Sequence, residues 1–192
     1  YKRQTLDIVN KRVPVIAGSG ANSTSEALHL TQRSKELGAD ACLLVTPYYN
    51  KPTQRGLYEH YKKIADEVSI PQILYNVPGR TSVDMLPDTV KNLSTHPNII
   101  GIKEASGNLE RSKEILEKCS DNLSIFTGDD KTSARDILMG FKGNISVTAN
   151  IVPLQMHNMC ELASEGQKDE AEKINSKIDV LHDNLFIESN PI

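Results

Sequence analysis

The stretch Ile99-Ile100-Gly101-Ile102-Lys103-Glu104 is a short apolar run closed abruptly by two charges. Similar runs occur at Val13–Ala17, Cys42–Val45, Ile73–Tyr75, Leu123–Phe126 and Ile145–Val147. Roughly 20–30 residues separate successive runs, and most of these spacers carry helical signals. Runs without polar alternation, each followed by an amphipathic helix, predict a parallel sheet covered by helices with right-handed crossovers. The first full helix is marked by Ser23 and Glu26, spaced as a capping box, with apolar Ala27, Leu28 and Leu30 after them and Gly38 beyond the end. Further helix starts are read near Thr53, at Pro87 and near Asn108, and two helices meeting at Gly166 are read between Pro153 and Leu185.

Six strands suit a doubly wound open sheet, but Gly18-Ser19-Gly20 is followed by Ala21, Asn22 and Ser23, so the dinucleotide turn Gly-x-Gly-x-x-Gly is not completed. The segment Tyr1 to Asn10 reads as the tail of an amphipathic helix, so the sequence is expected to start mid-fold. Two βα units ahead of it would give eight strands, and eight close a barrel. The predicted fold is therefore a TIM (βα)8 barrel lacking about its first two units and part of a C-terminal helical region. Residues 1–152 would be the third to eighth strands with their helices, and 153–192 the start of the helical region.

Bulk properties narrow the function. A length of 192 residues fits one domain. Lysine and arginine number 22 against 25 acidic residues, with no block of like charge, so neither nucleic acid nor an anionic membrane is indicated as a partner. Cys42, Cys119 and Cys160 are odd in number and widely spaced, which fits a reducing cytoplasm better than a disulfide framework. No apolar run nears the ~20 residues of a membrane span. The five histidines are scattered, and His157 with Cys160 has no further ligands nearby, so no metal site is expected. Asp129-Asp130 at a strand end is read as a cap for the helix around Thr132.

Reactive residues collect at the carboxyl ends of the runs, where a barrel places its active site. They are Thr46-Pro47-Tyr48-Tyr49-Asn50, Tyr75-Asn76-Val77-Pro78-Gly79-Arg80, Lys103-Glu104, Thr127-Gly128-Asp129-Asp130 and Thr148-Ala149-Asn150. Strand alternation puts Lys103 on the face of Gly101, whose missing side chain is expected to leave room for it, while Glu104 faces oppositely in a structural role. An amine held there would lose hydration and become a better nucleophile toward a carbonyl. The same lysine could equally run out of the strand end into solvent, and the strand alone does not choose. Tyr75 could pass protons while uncharged, or simply fill the core. Arg80 on its Pro-Gly turn can offer a planar fork to a carboxylate, or remain solvated. Together an amine, a phenol and an arginine meet the needs of amine catalysis on a keto acid.

These segments resemble the dihydrodipicolinate synthase family. Tyr75-Asn76-Val77-Pro78-Gly79-Arg80-Thr81, Ile99 to Ser106 and Thr46 to Asn50 are similar to its signature stretches, and the similarity extends over essentially the whole chain. The Tyr75 to Lys103 arrangement is shared with the wider N-acetylneuraminate lyase superfamily; Arg80 and the pair Tyr48-Tyr49 favour the synthase. The resemblance implies that Lys103 forms a Schiff base with pyruvate, that the resulting enamine condenses with aspartate-4-semialdehyde, and that no cofactor takes part. It implies Tyr75 as proton shuttle, Arg80 as a binder of the semialdehyde carboxylate, Gly128 and Ile145 as backbone lining of the pyruvate site, and Tyr49 as a residue inserted across a dimer interface. It further implies a homo-oligomer, commonly a dimer of dimers, and a feedback site for lysine at Asn22, Glu26 and Tyr48. The family's relay threonines belong to the first two barrel units and have no counterpart among these residues, so this chain alone is expected to be inactive. Another class I pyruvate aldolase of the superfamily and a non-catalytic barrel fragment remain as alternatives.

Overall fold

The computed structural model describes residues 1–119 and 121–191. Five strands, β1 (Ile16–Gly18), β2 (Ala41–Val45), β3 (Gln72–Asn76), β4 (Ile99–Glu104) and β5 (Ser124–Thr127), form one sheet in the order β1-β2-β3-β4-β5. Every pairing is parallel. Helix α1 (Lys2–Val9) precedes the sheet, and α2 (Thr24–Glu36), α3 (Gln54–Glu67), α4 (Pro78–Thr81), α5 (Pro87–Leu93) and α6 (Leu109–Cys119) occupy the crossovers. After β5 come α7 (Ser133–Leu138), a 3-10 turn at Thr148–Asn150, α8 (Pro153–Ser164) and α9 (Lys168–Asn184). None of the described helices is long and apolar enough to cross a membrane.

The predicted helix starts are found where local chemistry favours them. Thr53 caps α3, its side chain accepting from Gly56 N at 3.1 Å, and proline opens α5, where its missing N–H costs nothing. Gly166, at φ 76°, separates α8 from α9. The predicted capping box does not form: Ser23 is the N-cap of α2, but its hydroxyl pairs with Ser25 Oγ at 2.9 Å instead of an α2 backbone N–H. The short helix α4 was not foreseen, since its Pro-Gly opening reads as a turn.

The sixth predicted strand is also absent. Lys142 N donates to Ile125 O, Thr127 N to Gly143 O and Ile145 N to Thr127 O, so a parallel neighbour of β5 begins. It leaves only an isolated bridge, Thr127 to Asn144. The reason is competition for donors: the Asp130 carboxylate takes the N–H groups of Val147 and Thr148 at 3.0 and 2.9 Å and turns the backbone into the 3-10 segment. Asp130 is therefore a staple between two loops, not the cap of α7 expected from sequence; Thr132 is the N-cap there.

Register sorts the two faces of the sheet. Leu44, Leu74, Ile102 and Ile125 are aligned neighbours across β2 to β5, each buried, and they join Leu57, Tyr61, Ile64 and Ile115 from the helices in the main core. The next row, one residue along, is Val45, Tyr75, Lys103 and Phe126, which alternation turns to the opposite face. Gly101 has a different use from the one expected. A methyl there would meet Ser124 O at 2.7 Å, so the glycine lets β4 run close to β5 instead of opening space beside Lys103. Ile102→Ala, a truncation in the middle of the aligned row, is expected to cost about 2–5 kcal/mol, read as a lowered urea midpoint with unchanged slope.

Candidate active site

At the carboxyl end of the sheet the parallel register sets Tyr75 directly beside Lys103, and the lysine Nζ lies over the tyrosine ring, 4.3 Å from its centroid. Lys103 is only 8% exposed. Burial pushes its pKa down to about 8, against an opposing pull from Asp130. At pH 7 that leaves about one amine in ten neutral, some hundreds of times more than for an ordinary lysine. The tyrosine shifts the other way: burial raises its pKa, with the Arg80 charge acting against it, so the phenol keeps its proton near neutrality. A protonated phenol thus adjoins a partly neutral amine. Because the unfolded chain keeps lysine near 10.5, burial of this amine weakens folding below pH 8, and stability is regained as pH climbs between those values.

Glycine at 128 makes room for the amine's stem. A methyl on Gly128 would overlap Lys103 Cε and stand 2.7 Å from Ala105 Cβ. Its N–H donates to Glu104 O at 2.7 Å, and Ile145 N donates to Thr127 O at 3.0 Å, so the backbones of both predicted lining residues are fixed beside β5. Thr46, at the end of β2, is buried and its hydroxyl lacks a hydrogen-bond partner among the described residues. Arg80 follows β3 on α4, where its guanidinium lies over Phe186 at 5.6 Å.

Other predicted residues stand apart from this cluster. Tyr49 is 87% exposed and has φ 73°, a left-handed conformation that a tyrosine rarely adopts. Tyr48 and Glu26 are also exposed, and the loop bearing the tyrosines is tied to Asn22 by Asn50 Nδ2, which donates to its carbonyl at 3.0 Å.

The sequence placed Asp130, Thr148, Asn76 and Glu104 at strand ends and read Glu104 as structural, but it did not show the charge role of Asp130 or the partners His182 and Arg111. Asp130 is 5% exposed and is the negative charge acting on Lys103. Burial would raise its own pKa, but hydrogen bonds from Ser146, Thr148 and Asn144 outweigh that and hold it low. Thr148 in turn pairs with buried His182 Nδ1 at 2.8 Å, linking α9 to the site. Behind the reactive face, Asn76, Glu104 and Arg111 form a buried polar cluster. Runs of polar residues after each strand were the available signal, but which of them turn inward depends on loop paths.

The Dihydrodipicolinate synthetase family profile matches residues 2–192. The chain belongs to this family. The 4-hydroxy-tetrahydrodipicolinate synthase of Stutzerimonas stutzeri (strain A1501) is 60% identical over 190 residues, covering 99% of this chain and 65% of that protein. That of Pseudomonas aeruginosa is 58% identical with the same coverage. This chain therefore spans about two thirds, 65%, of the length of these relatives. Among solved structures, the chloride-inhibited dihydrodipicolinate synthase of Acinetobacter baumannii complexed with pyruvate superposes with a TM-score of 0.98 at 52% identity, covering 100% of this chain and 66% of that one. The enzyme from Cyanidioschyzon merolae with lysine bound gives 0.92 at 37%, covering 100% and 67%.

Two outcomes test the geometry of the amine. Asp130→Asn removes the charge that raises the Lys103 pKa, so the midpoint for modification of Lys103 by an amine-selective reagent, followed by peptide mass spectrometry, should fall below pH 8. Gly128→Ala should slow modification of Lys103 by roughly tenfold or more at fixed pH, since the displaced stem loses its aligned position.

Proposed function

We propose that this chain carries the Schiff-base centre of a 4-hydroxy-tetrahydrodipicolinate synthase, a lyase that condenses pyruvate with aspartate-4-semialdehyde in lysine and diaminopimelate biosynthesis. The observation that carries the reading is the desolvated Lys103 amine over the Tyr75 ring at the carboxyl end of a parallel sheet. Family membership and the pyruvate complex of the Acinetobacter relative support it.

In this reading the neutral Lys103 amine attacks the pyruvate ketone carbon and water leaves, giving an iminium. The iminium draws electrons from the methyl group, which loses a proton and becomes the carbon nucleophile of an enamine. That carbon adds to the aldehyde of the second substrate, and attack of the substrate's amine on the iminium carbon releases the ring and frees Lys103. The iminium is itself the electron sink, so the scheme requires no cofactor. Tyr75 shuttles protons, Arg80 holds the semialdehyde carboxylate, and the backbones at Gly128 and Ile145 line the pyruvate site.

The sequential parallel order of β1 to β5 supports assigning them, with the segment at Ile145, to the third to eighth strands of a (βα)8 barrel, with residues 153–192 opening a C-terminal helical region. The exposure of Tyr49 supports its insertion into a second copy of the chain in a dimer of dimers. The lysine-bound relative supports a feedback site at Asn22, Glu26 and Tyr48. A cytoplasmic setting accords with three free cysteines.

Borohydride reduction of the intact protein with pyruvate should leave a reduced pyruvyl adduct on Lys103, detected by peptide mass spectrometry; an unmodified Lys103 would rule the mechanism out. Tyr75→Phe should still form the adduct while turnover drops by about 10²-fold or more.

A further inference from the structure

We propose that Arg111 and Glu104 are positioning residues for Arg80, acting through a buried clasp that closes the base of the loop carrying it. The inference rests on the assignment of Arg80 to the carboxylate of the second substrate, and it adds two residues that touch neither substrate.

The loop leaves the sheet at Asn76 and reaches α5 through Met85 and Leu86. Its two ends are fastened to each other and to β4. Asn76 Oδ1 accepts from Met85 N at 2.9 Å, while its Nδ2 donates to Asp84 Oδ1 at 3.0 Å and to Glu104 Oε2 at 3.1 Å. Arg111, on α6, then joins all of these groups. Its Nε donates to Glu104 Oε2 at 2.9 Å, Nη1 to Asp84 Oδ2 at 3.1 Å, and Nη2 to the Met85 carbonyl. Ser106 N completes the Glu104 carboxylate with a 2.8 Å bond to Oε1.

The burial of these groups argues for more than surface decoration. The Glu104 side chain is 2% exposed and that of Arg111 10%, so their pairing is scarcely screened by water. A planar guanidinium can hold three acceptors at fixed angles, which an ammonium cannot reproduce. From the far side, Gln54 Nε2 donates to Asp84 O at 2.7 Å, and Gln54 Oε1 accepts from Leu86 N at 3.0 Å. Within the loop, the Thr81 hydroxyl bonds Val77 O and Val83 O at 3.1 and 3.0 Å, stiffening α4 around Arg80. Arg80 is thus exposed at the tip of a loop whose closure is determined at its base.

The clasp also lies one residue beyond the reactive pair on each strand. Asn76 follows Tyr75 and Glu104 follows Lys103, on the opposite face, so it holds the strand ends and the base of the loop from behind.

The test compares Arg111→Lys, Arg80→Ala and the double variant in the intact protein, with wild type as reference. Arg111→Lys should raise KM for the carboxylate-bearing aldehyde about tenfold while pyruvate adduct formation at Lys103 under borohydride stays within about twofold. In the Arg80→Ala background the same change should add almost nothing, since the residue it positions is gone. Asp84→Asn, at a half-exposed side chain that can be replaced with little risk to folding, should give the same selective rise in smaller measure. Additive effects of Arg111→Lys and Arg80→Ala, an unchanged aldehyde KM, or parallel losses of adduct formation and aldehyde binding would each overturn the positioning role. Failure of wild type to form the adduct would instead overturn the Schiff-base reading, so the two failures are separable.

Discussion

The ladder between β3 and β4 sets Tyr75 level with Lys103, and most of what is distinctive in the structure follows from that register. In a parallel pair, side chains at matched positions point to the same face, so the phenol and the amine share one wall. A slip of one residue would send Lys103 into the helical core and Glu104 toward Tyr75. The aligned row of Leu44, Leu74, Ile102 and Ile125 resists that slip, because each would have to leave the apolar layer between sheet and helices. Core packing therefore fixes the spacing of the reactive pair from the opposite face of the sheet.

Reactivity and stability oppose each other at this site. Hiding an amine from water lowers its pKa and frees its lone pair, but the same desolvation penalises the folded state wherever the group is protonated. Asp130 sits between these demands. Its charge moderates the loss, and its oxygens are occupied by Asn144 and by the backbone of Val147 and Thr148, which keeps it ionised while buried. The cost of that arrangement is the interrupted sixth strand: donors that would have extended the sheet are taken by a carboxylate. A local break in regular structure thus serves the electrostatics of the neighbouring lysine.

Opposite faces of the same strand ends have opposite chemistry. On one face, the Lys103 amine and the Tyr75 phenol are left with few fixed partners. Behind them, Glu104 and Asn76 are bound on nearly every polar atom, with Arg111 spanning the gap to the Arg80 loop. Alternation along a strand makes this division possible within two residues. The saturated side supplies rigidity, and the unsaturated side is available for chemistry.

The order of strands and helices was legible in the sequence because apolar runs, proline starts and glycine stops are local signals whose meaning survives in most surroundings. So was the meeting of Lys103 and Tyr75, since each closes an apolar run and parallel strands bring such ends together. Local patterns misled where a group had more than one possible partner. Ser23 had Ser25 as well as the backbone, Asp130 had the loop at Val147 as well as α7, and the N–H of Val147 had a carboxylate competing with a strand for it. Gly101 was expected to make room for Lys103, yet packing gives that part to Gly128 and lets Gly101 admit the neighbouring strand. The sequence by itself determined which residue types stand at each strand end, since alternation and run length are properties of the chain. Tertiary structure alone decided the low pKa of Lys103 and the clasp behind it, because desolvation and hydrogen-bond choice depend on atoms far apart in the chain that packing brings together.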